Sequence, residues 1–162
     1  MTIEMKVSGL MIDPLTNMPI VILKSEAGDR MLPIWIGSFE AQALAMKREG
    51  IEVARPMTHD LLEGVIRALK AKVLRAVITD LREGTFYAVL QLDTPQGPVE
   101  VDSRPSDAMA VALRTEAPNL VETAVLDKSA ALDESRRPEE SDARLKRWFE
   151  SVDPGDYSKY QM

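Results

Sequence analysis

Apolar positions recur along this chain in distinct rhythms. Met5, Val7, Leu10 and Ile12 lead into Asp13-Pro14, the run from Pro19 to Leu23 is closed by Glu26-Ala27-Gly28-Asp29, and Met31 to Ile36 forms another short run. Bounded by turn residues, these stretches predict three strands. Gly37-Ser38-Phe39-Glu40 then opens a helix that runs to about Arg48 and stops at Gly50. Gly37 is its expected N-cap, with Glu40 reaching back to it from the third position, and Ala41, Leu44 and Ala45 give a small face suited to a sheet. From Thr58 onward, Leu61, Leu62, Val65, Ile66 and Leu69 fall at helical spacing opposite Glu63, Arg67 and Lys70. That is the pattern of an amphipathic helix lying on a core.

The second half repeats the theme. Val73 to Leu81, Glu83-Gly84-Thr85 and Phe86 to Leu92 read as a β-hairpin, and Thr94-Pro95-Gln96-Gly97 turns into a further strand at Val99 to Val101. Connections this short leave no room for crossovers, so the pairing is expected to be antiparallel. From Pro105 to about Glu116 the chain carries Ala108 to Leu113 almost without polar interruption, which predicts a helix buried on most sides and ended by Ala117-Pro118. The stretch from Asp127 to Asp142 is rich in charge, Ser and Ala, and Leu145, Trp148, Phe149 and Val152 follow at helical spacing. The expectation is an α+β fold, a largely antiparallel β-sheet packed with about three helices, over residues 1–126, followed by a charged linker and short C-terminal helix over 127–162.

Composition narrows the chemistry. With 162 residues, 45% of them hydrophobic, the chain can bury a sizeable core as one domain. A net charge of -6 gives it no general attraction for nucleic acid or an anionic membrane, so any such contact needs a local basic patch. The densest basic stretch holds Lys47, Arg48, Arg55, Arg67, Lys70, Lys72 and Arg75, which form a patch if the first two helices lie side by side. The absence of cysteine removes disulfides, thiolate nucleophiles and cysteine metal sites together. No apolar run approaches the roughly 20 residues of a membrane span, and no secretory leader pattern opens the chain. The expected setting is cytoplasmic, with no membrane partner.

Arg55-Pro56-Met57-Thr58-His59-Asp60 and Arg104-Pro105-Ser106-Asp107 each set an arginine, a proline, a hydroxyl and an acid ahead of a helical apolar pattern. Proline is tolerated in the first helical turn, while Ser, Thr and Asp satisfy the free N–H groups there. An arginine beside such a terminus adds a bidentate donor for phosphate or carboxylate. In one reading Arg55, Thr58, Arg104 and Ser106 bind substrate phosphate, and His59 transfers a proton. Asp60, Asp102 and Asp107, with Glu40, then hold Mg2+ or Mn2+ or orient water. In the other, the acids cap helices and pair with the arginines structurally, and His59 is a hydrogen-bonding residue of the first helical turn. Trp35 offers a stacking surface for a base, but its apolar strand assigns it to the core. The expectation for assembly is a homodimer that covers surplus apolar sheet surface.

Taken in order, Leu32-Pro33-Ile34-Trp35-Ile36-Gly37, Glu40-Ala41, Arg55 to Leu62, Phe86-Tyr87-Ala88 and Asp102 to Ala108 closely resemble the bifunctional nuclease family. The resemblance covers about Met5 to Val121, and Trp148 to Tyr157 is similar to the tail of bacterial single-domain members. Ser103 and Met109 depart from the family pattern, where an alanine and a branched aliphatic residue are usual. The resemblance implies a compact α+β domain, often homo-oligomeric, with nuclease activity on DNA and RNA assigned chiefly from plant relatives. The rival to a nuclease is a non-catalytic module that binds a small anionic ligand or a protein partner through the two Arg-Pro helix starts. The net acidity of the chain favours that rival.

Overall fold

A computed structural model describes residues 1–135. Two antiparallel meanders are built first. Strands β1 (Thr2–Ile12), β2 (Pro19–Ser25) and β3 (Met31–Trp35) form one, and β4 (Lys72–Arg82), β5 (Thr85–Thr94) and β6 (Gly97–Ser103) form the other. Each meander leads into a helix, α1 (Ser38–Arg48) after the first and α3 (Pro105–Thr115) after the second, while α2 (Thr58–Ala68) lies between the two units in the chain. The fold is α+β, as the patterning predicts.

The seam between the meanders was not legible in the sequence. Strand β7 (Asn119–Glu122) pairs antiparallel with β1 and parallel with β4, joining both meanders into one seven-stranded sheet of order β3-β2-β1-β7-β4-β5-β6. Its parallel register, Ala76 opposite Asn119 and Ile78 opposite Val121, is the exception to the expected antiparallel sheet. The long excursion through β5, β6 and α3 supplies the crossover that such pairing needs. Helix α4 (Thr123–Ser135) follows directly and packs on β4, β7 and β3. Residues 127–135, expected to begin a linker, are therefore helical: Val125 and Leu126 are buried, Leu132 packs on the core, and Asp127 and Lys128 pair with Arg30 and Asp80. The expected C-terminal helix around Leu145 to Val152 lies outside the described residues.

Local chemistry explains the remaining elements. The β4–β5 hairpin turns on Glu83 and Gly84, both at positive φ, as a two-residue turn compatible with strand twist requires. Ile20 to Leu23 are fully buried, so both faces of β2 are covered and the sheet surplus expected to drive dimerisation is absent there. Trp35 is half exposed rather than core, its indole N–H donating to Asp13 at 2.8 Å. Asp13 also accepts from the Leu15 N–H and the Thr16 hydroxyl. Burial alone would raise the Asp13 pKa, but these donors outweigh it and hold the carboxyl below its ordinary value.

Helix α3 is the keystone of the helical layer. Ala108 to Ala112 are buried, and the helix packs on β4 and β5 with α1 and α2 to its sides. Helix α2 reverses its expectation: Leu61, Leu62, Val65 and Leu69 are exposed, and His59 is its buried residue. Of the expected apolar face Ile66 packs against the core, while these four side chains have no core beneath them. Among the described residues no helix is long and apolar enough to cross a membrane.

Candidate functional site

The three helices beside the sheet run in the same sense, with their N-termini gathered at one end. Glu40 in the first turn of α1 meets Arg104 at the start of α3, and Asp107 in the first turn of α3 meets His59 at the start of α2. Each helix places an acid at its third residue, Glu40, Asp60 and Asp107, after the N-caps Gly37, Met57 and Arg104. Three positive dipole ends would repel one another, and an acid in each first turn offsets that repulsion.

Arg104 ties the cluster together. Its Nη2 donates to Glu40 Oε1 at 2.8 Å and its Nε to Asp107 Oδ2 at 2.9 Å. Hydrogen bonds from the guanidinium to Asp107, and then to Glu40, raise its pKa further above the ordinary arginine value. The side chain is nevertheless 66% exposed, so part of its donor edge faces solvent. Gly37 makes the arrangement possible, because a Cβ there would collide with the Glu40 carboxylate. Glu40 is thus turned toward Arg104, with no side-chain cap bond at Gly37.

Beneath this exposed pair lies a buried one. His59 Nε2 stands 2.8 Å from the other Asp107 oxygen, Oδ1, and the histidine is 7% exposed. An ionised carboxylate only accepts, so Nε2–H is the donor to Asp107 Oδ1 and Nδ1 is the ring nitrogen left over. Nδ1 has no partner among the described residues. The Asp107 carboxylate therefore has one oxygen fixed on the ring and the other on the guanidinium.

Asp60, one residue on from His59, belongs to a different bond set. It accepts the Met57 N–H at 2.9 Å and Arg114 Nε at 2.7 Å. The Met57 N–H lowers its pKa most, partial burial opposes this, and Arg114 adds to the lowering. Arg114 spends its other donors on the Ala110 and Ala43 carbonyls, and its side chain is only 6% exposed. Sequence reasoning passed over Arg114 because a cation in the last turn of a helix normally needs no partner beyond the helix dipole. The signal was its place at the end of the unbroken apolar run from Ala108 to Leu113.

The other expectations divide. The two Arg-Pro motifs do meet, through His59 and Asp107, but they are not twins: Pro105 is the first residue of α3, whereas Pro56 precedes the N-cap of α2. Arg104 is accordingly an N-cap held by two acids, while Arg55 is exposed and has no ion pair among the described residues. Thr58 and Ser106 sit inside the first turns and make no side-chain cap bond. Asp102 lies exposed on β6 opposite Val89, outside the hydrogen-bonded cluster. The four carboxylates expected to hold Mg2+ or Mn2+ do not form one donor set: Glu40, Asp60 and Asp107 already face arginine or histidine, and no group of three or more His, Asp or Glu is arranged for a metal among the described residues. Of the expected basic patch, Lys47, Arg67 and Lys72 border one cleft.

A family model described as the bifunctional nuclease domain matches residues 21–134, a span that contains Glu40, both Arg-Pro motifs and Arg114. The chain is also similar to uncharacterized proteins from two strains of Mycobacterium tuberculosis, each 40% identical, with 95% of this chain and 97% of the relative covered.

Proposed function

The chain belongs to the bifunctional nuclease domain family, and from that premise we propose that it hydrolyses phosphodiester bonds of DNA, RNA or both at the joined N-termini of α1, α2 and α3. The observation that carries this reading is the two-sided Asp107, bonded at once to the buried His59 ring and to the exposed Arg104 guanidinium. A phosphate reaching Arg104 exchanges for part of its carboxylate contacts and brings phosphorus close to the histidine. The oxygen of water attacks phosphorus, one water proton passes to His59 Nδ1, and the bond to the leaving sugar oxygen breaks. That oxygen then takes the proton back from the ring. Asp107 holds the ring by Nε2–H throughout and stabilises its transient positive charge, while Arg104 offsets the negative charge that grows on the phosphoryl oxygens.

The test is single-turnover hydrolysis of end-labelled DNA and RNA oligonucleotides, with and without Mg2+ or Mn2+, by wild type and His59→Gln. Glutamine retains a polar side chain but takes no proton, so the expected loss is about 100-fold or more. Equal cleavage by the two proteins removes His59 from the reaction. The rival, a module that binds an anion without cleaving it, is favoured by the burial of His59 and by the prior pairing of every acid in the cluster. It predicts oligonucleotide binding without product.

Self-association is part of the same proposal. Leu61, Leu62, Val65 and Leu69 are between 42% and 68% exposed along α2, and a second copy burying this face would place two sites close together. Light scattering at micromolar concentration is expected to report a dimer, and a monomer contradicts it. A cytoplasmic setting, where both nucleic acids are present, fits a cysteine-free chain.

A further inference from the structure

The opposite end of the helical layer carries a cleft of about 350 Å³, within the range of roughly 300–1,000 Å³ usual for small-molecule sites. The C-terminal halves of α1, α2 and α3 and the start of β4 border this open cleft. Lys47, Arg67, Lys72 and Arg114 contribute to its lining, against the carboxylates of Glu63 and Glu116. Cations in the last turn of a helix ordinarily answer the dipole, which accounts for Lys47, Arg67 and Arg114. It does not account for Lys72, which stands at the head of a strand. Nor does internal pairing satisfy the site. Arg114 is bound to Asp60 and Arg67 to Glu63, but Lys47 and Lys72 have no ion-pair partner among the described residues.

We propose that this cleft binds a phosphate-bearing ligand of nucleotide size, apart from the His59–Asp107–Arg104 cluster. In a chain of net charge -6, two unpaired ammonium groups at one concave site select an anion of at least two charges. Ile66 and Val73 add an apolar wall that inorganic anions would leave uncovered, so a ligand joining phosphates to a flat apolar ring fills the site better. The same chemistry is offered by a free nucleoside diphosphate and by a nucleotide within a strand.

Titration calorimetry on the full chain separates these sources, using ADP, inorganic pyrophosphate and an oligothymidylate as probes at low salt. ADP is expected to bind wild type in the micromolar range, pyrophosphate more weakly, and Lys47→Gln/Lys72→Gln is expected to weaken both at least tenfold. Lys6→Gln/Lys24→Gln removes the same charge from the distant β1–β2 pair and is expected to leave affinity within twofold. Lys47 and Lys72 are exposed, so circular dichroism should show all variants folded. Saturable binding by the oligothymidylate alone, lost in Lys47→Gln/Lys72→Gln, assigns the cleft to a strand. No saturable binding by any probe, or equal loss in both double variants, overturns the proposal.

Discussion

Arg55 and Arg104 stand before the same kind of motif, and the structure treats them in opposite ways. Arg104 caps α3, grips acids from two helices and is fixed before any ligand arrives. Arg55 lies in the connection ahead of α2, exposed and free of ion pairs among the described residues. The difference comes from one step of register. Proline as the first residue of α3 puts the preceding arginine on the cap, whereas Pro56 outside α2 carries its arginine past the helix into solvent. The acids do correspond, since Asp60 and Asp107 are both third residues, but their partners differ in burial: Asp60 neutralises an enclosed guanidinium and Asp107 an open one. The first motif therefore ties its acid to a buried guanidinium, and the second leaves its paired arginine open to solvent.

The sharpest way to break this contrast is to remove both acids in turn and follow stability. Asp60→Ala strands the buried Arg114 charge, and the expected loss is about 2–4 kcal/mol by denaturant titration. Asp107→Ala leaves Arg104 with Glu40 and with water and takes from His59 its hydrogen-bond partner, and about 1–2 kcal/mol is expected. Equal losses would mean that the two helix starts do the same work.

Acid titration sharpens the same point. The Asp60 pKa is lowered in the folded protein, so its contribution is complete above the unfolded carboxyl value of about 3.9 and is lost as pH falls through the lower folded value. The stability gap between wild type and Asp60→Asn is expected to be constant from pH 7 to about pH 5 and to close below about pH 4. A gap that persists at pH 2 shows that the charge on Asp60 is not what stabilises the helix start.

The smallest expected effects concern the arginines themselves. Arg104→Gln is expected to weaken oligonucleotide binding about tenfold and Arg55→Gln about threefold, each with a shallower salt dependence, by fluorescence anisotropy. Melting temperature should move for Arg104→Gln and stay fixed for Arg55→Gln. The reverse order would make the unpaired arginine the principal phosphate contact.

Much of the architecture was written in short-range pattern. Alternation and turn residues located both meanders, and the unbroken apolar run from Ala108 to Leu113 located α3 as buried. Strand β7 escaped because four residues, Asn119–Glu122, carry too few positions to display a period, and only pairing with two distant strands makes them a strand. The α2 face was assigned to a core because spacing reveals which side chains share a face and nothing of what covers it. The two motifs, read as halves of one site, do come together, through His59 and Asp107 and not through Arg55 or Asp102. That Asp60 would be drawn away from the other acids was not legible for a long-range reason: Arg114 lies far from Asp60 in sequence and reaches it only through the packing of α3 beside α2.

The central claim, that the second motif carries the chemistry and the first the support, rests on one comparison. Single-turnover cleavage by Asp107→Asn and Asp60→Asn, purified alongside wild type and assayed below their melting temperatures, tests it directly. Asparagine at Asp107 keeps the shape but loses the charge that orients His59, so cleavage is expected to fall about 100-fold, whereas Asp60→Asn should cleave within a few-fold of wild type despite melting lower. A well-folded Asp107→Asn protein that cleaves at the wild-type rate would contradict the account.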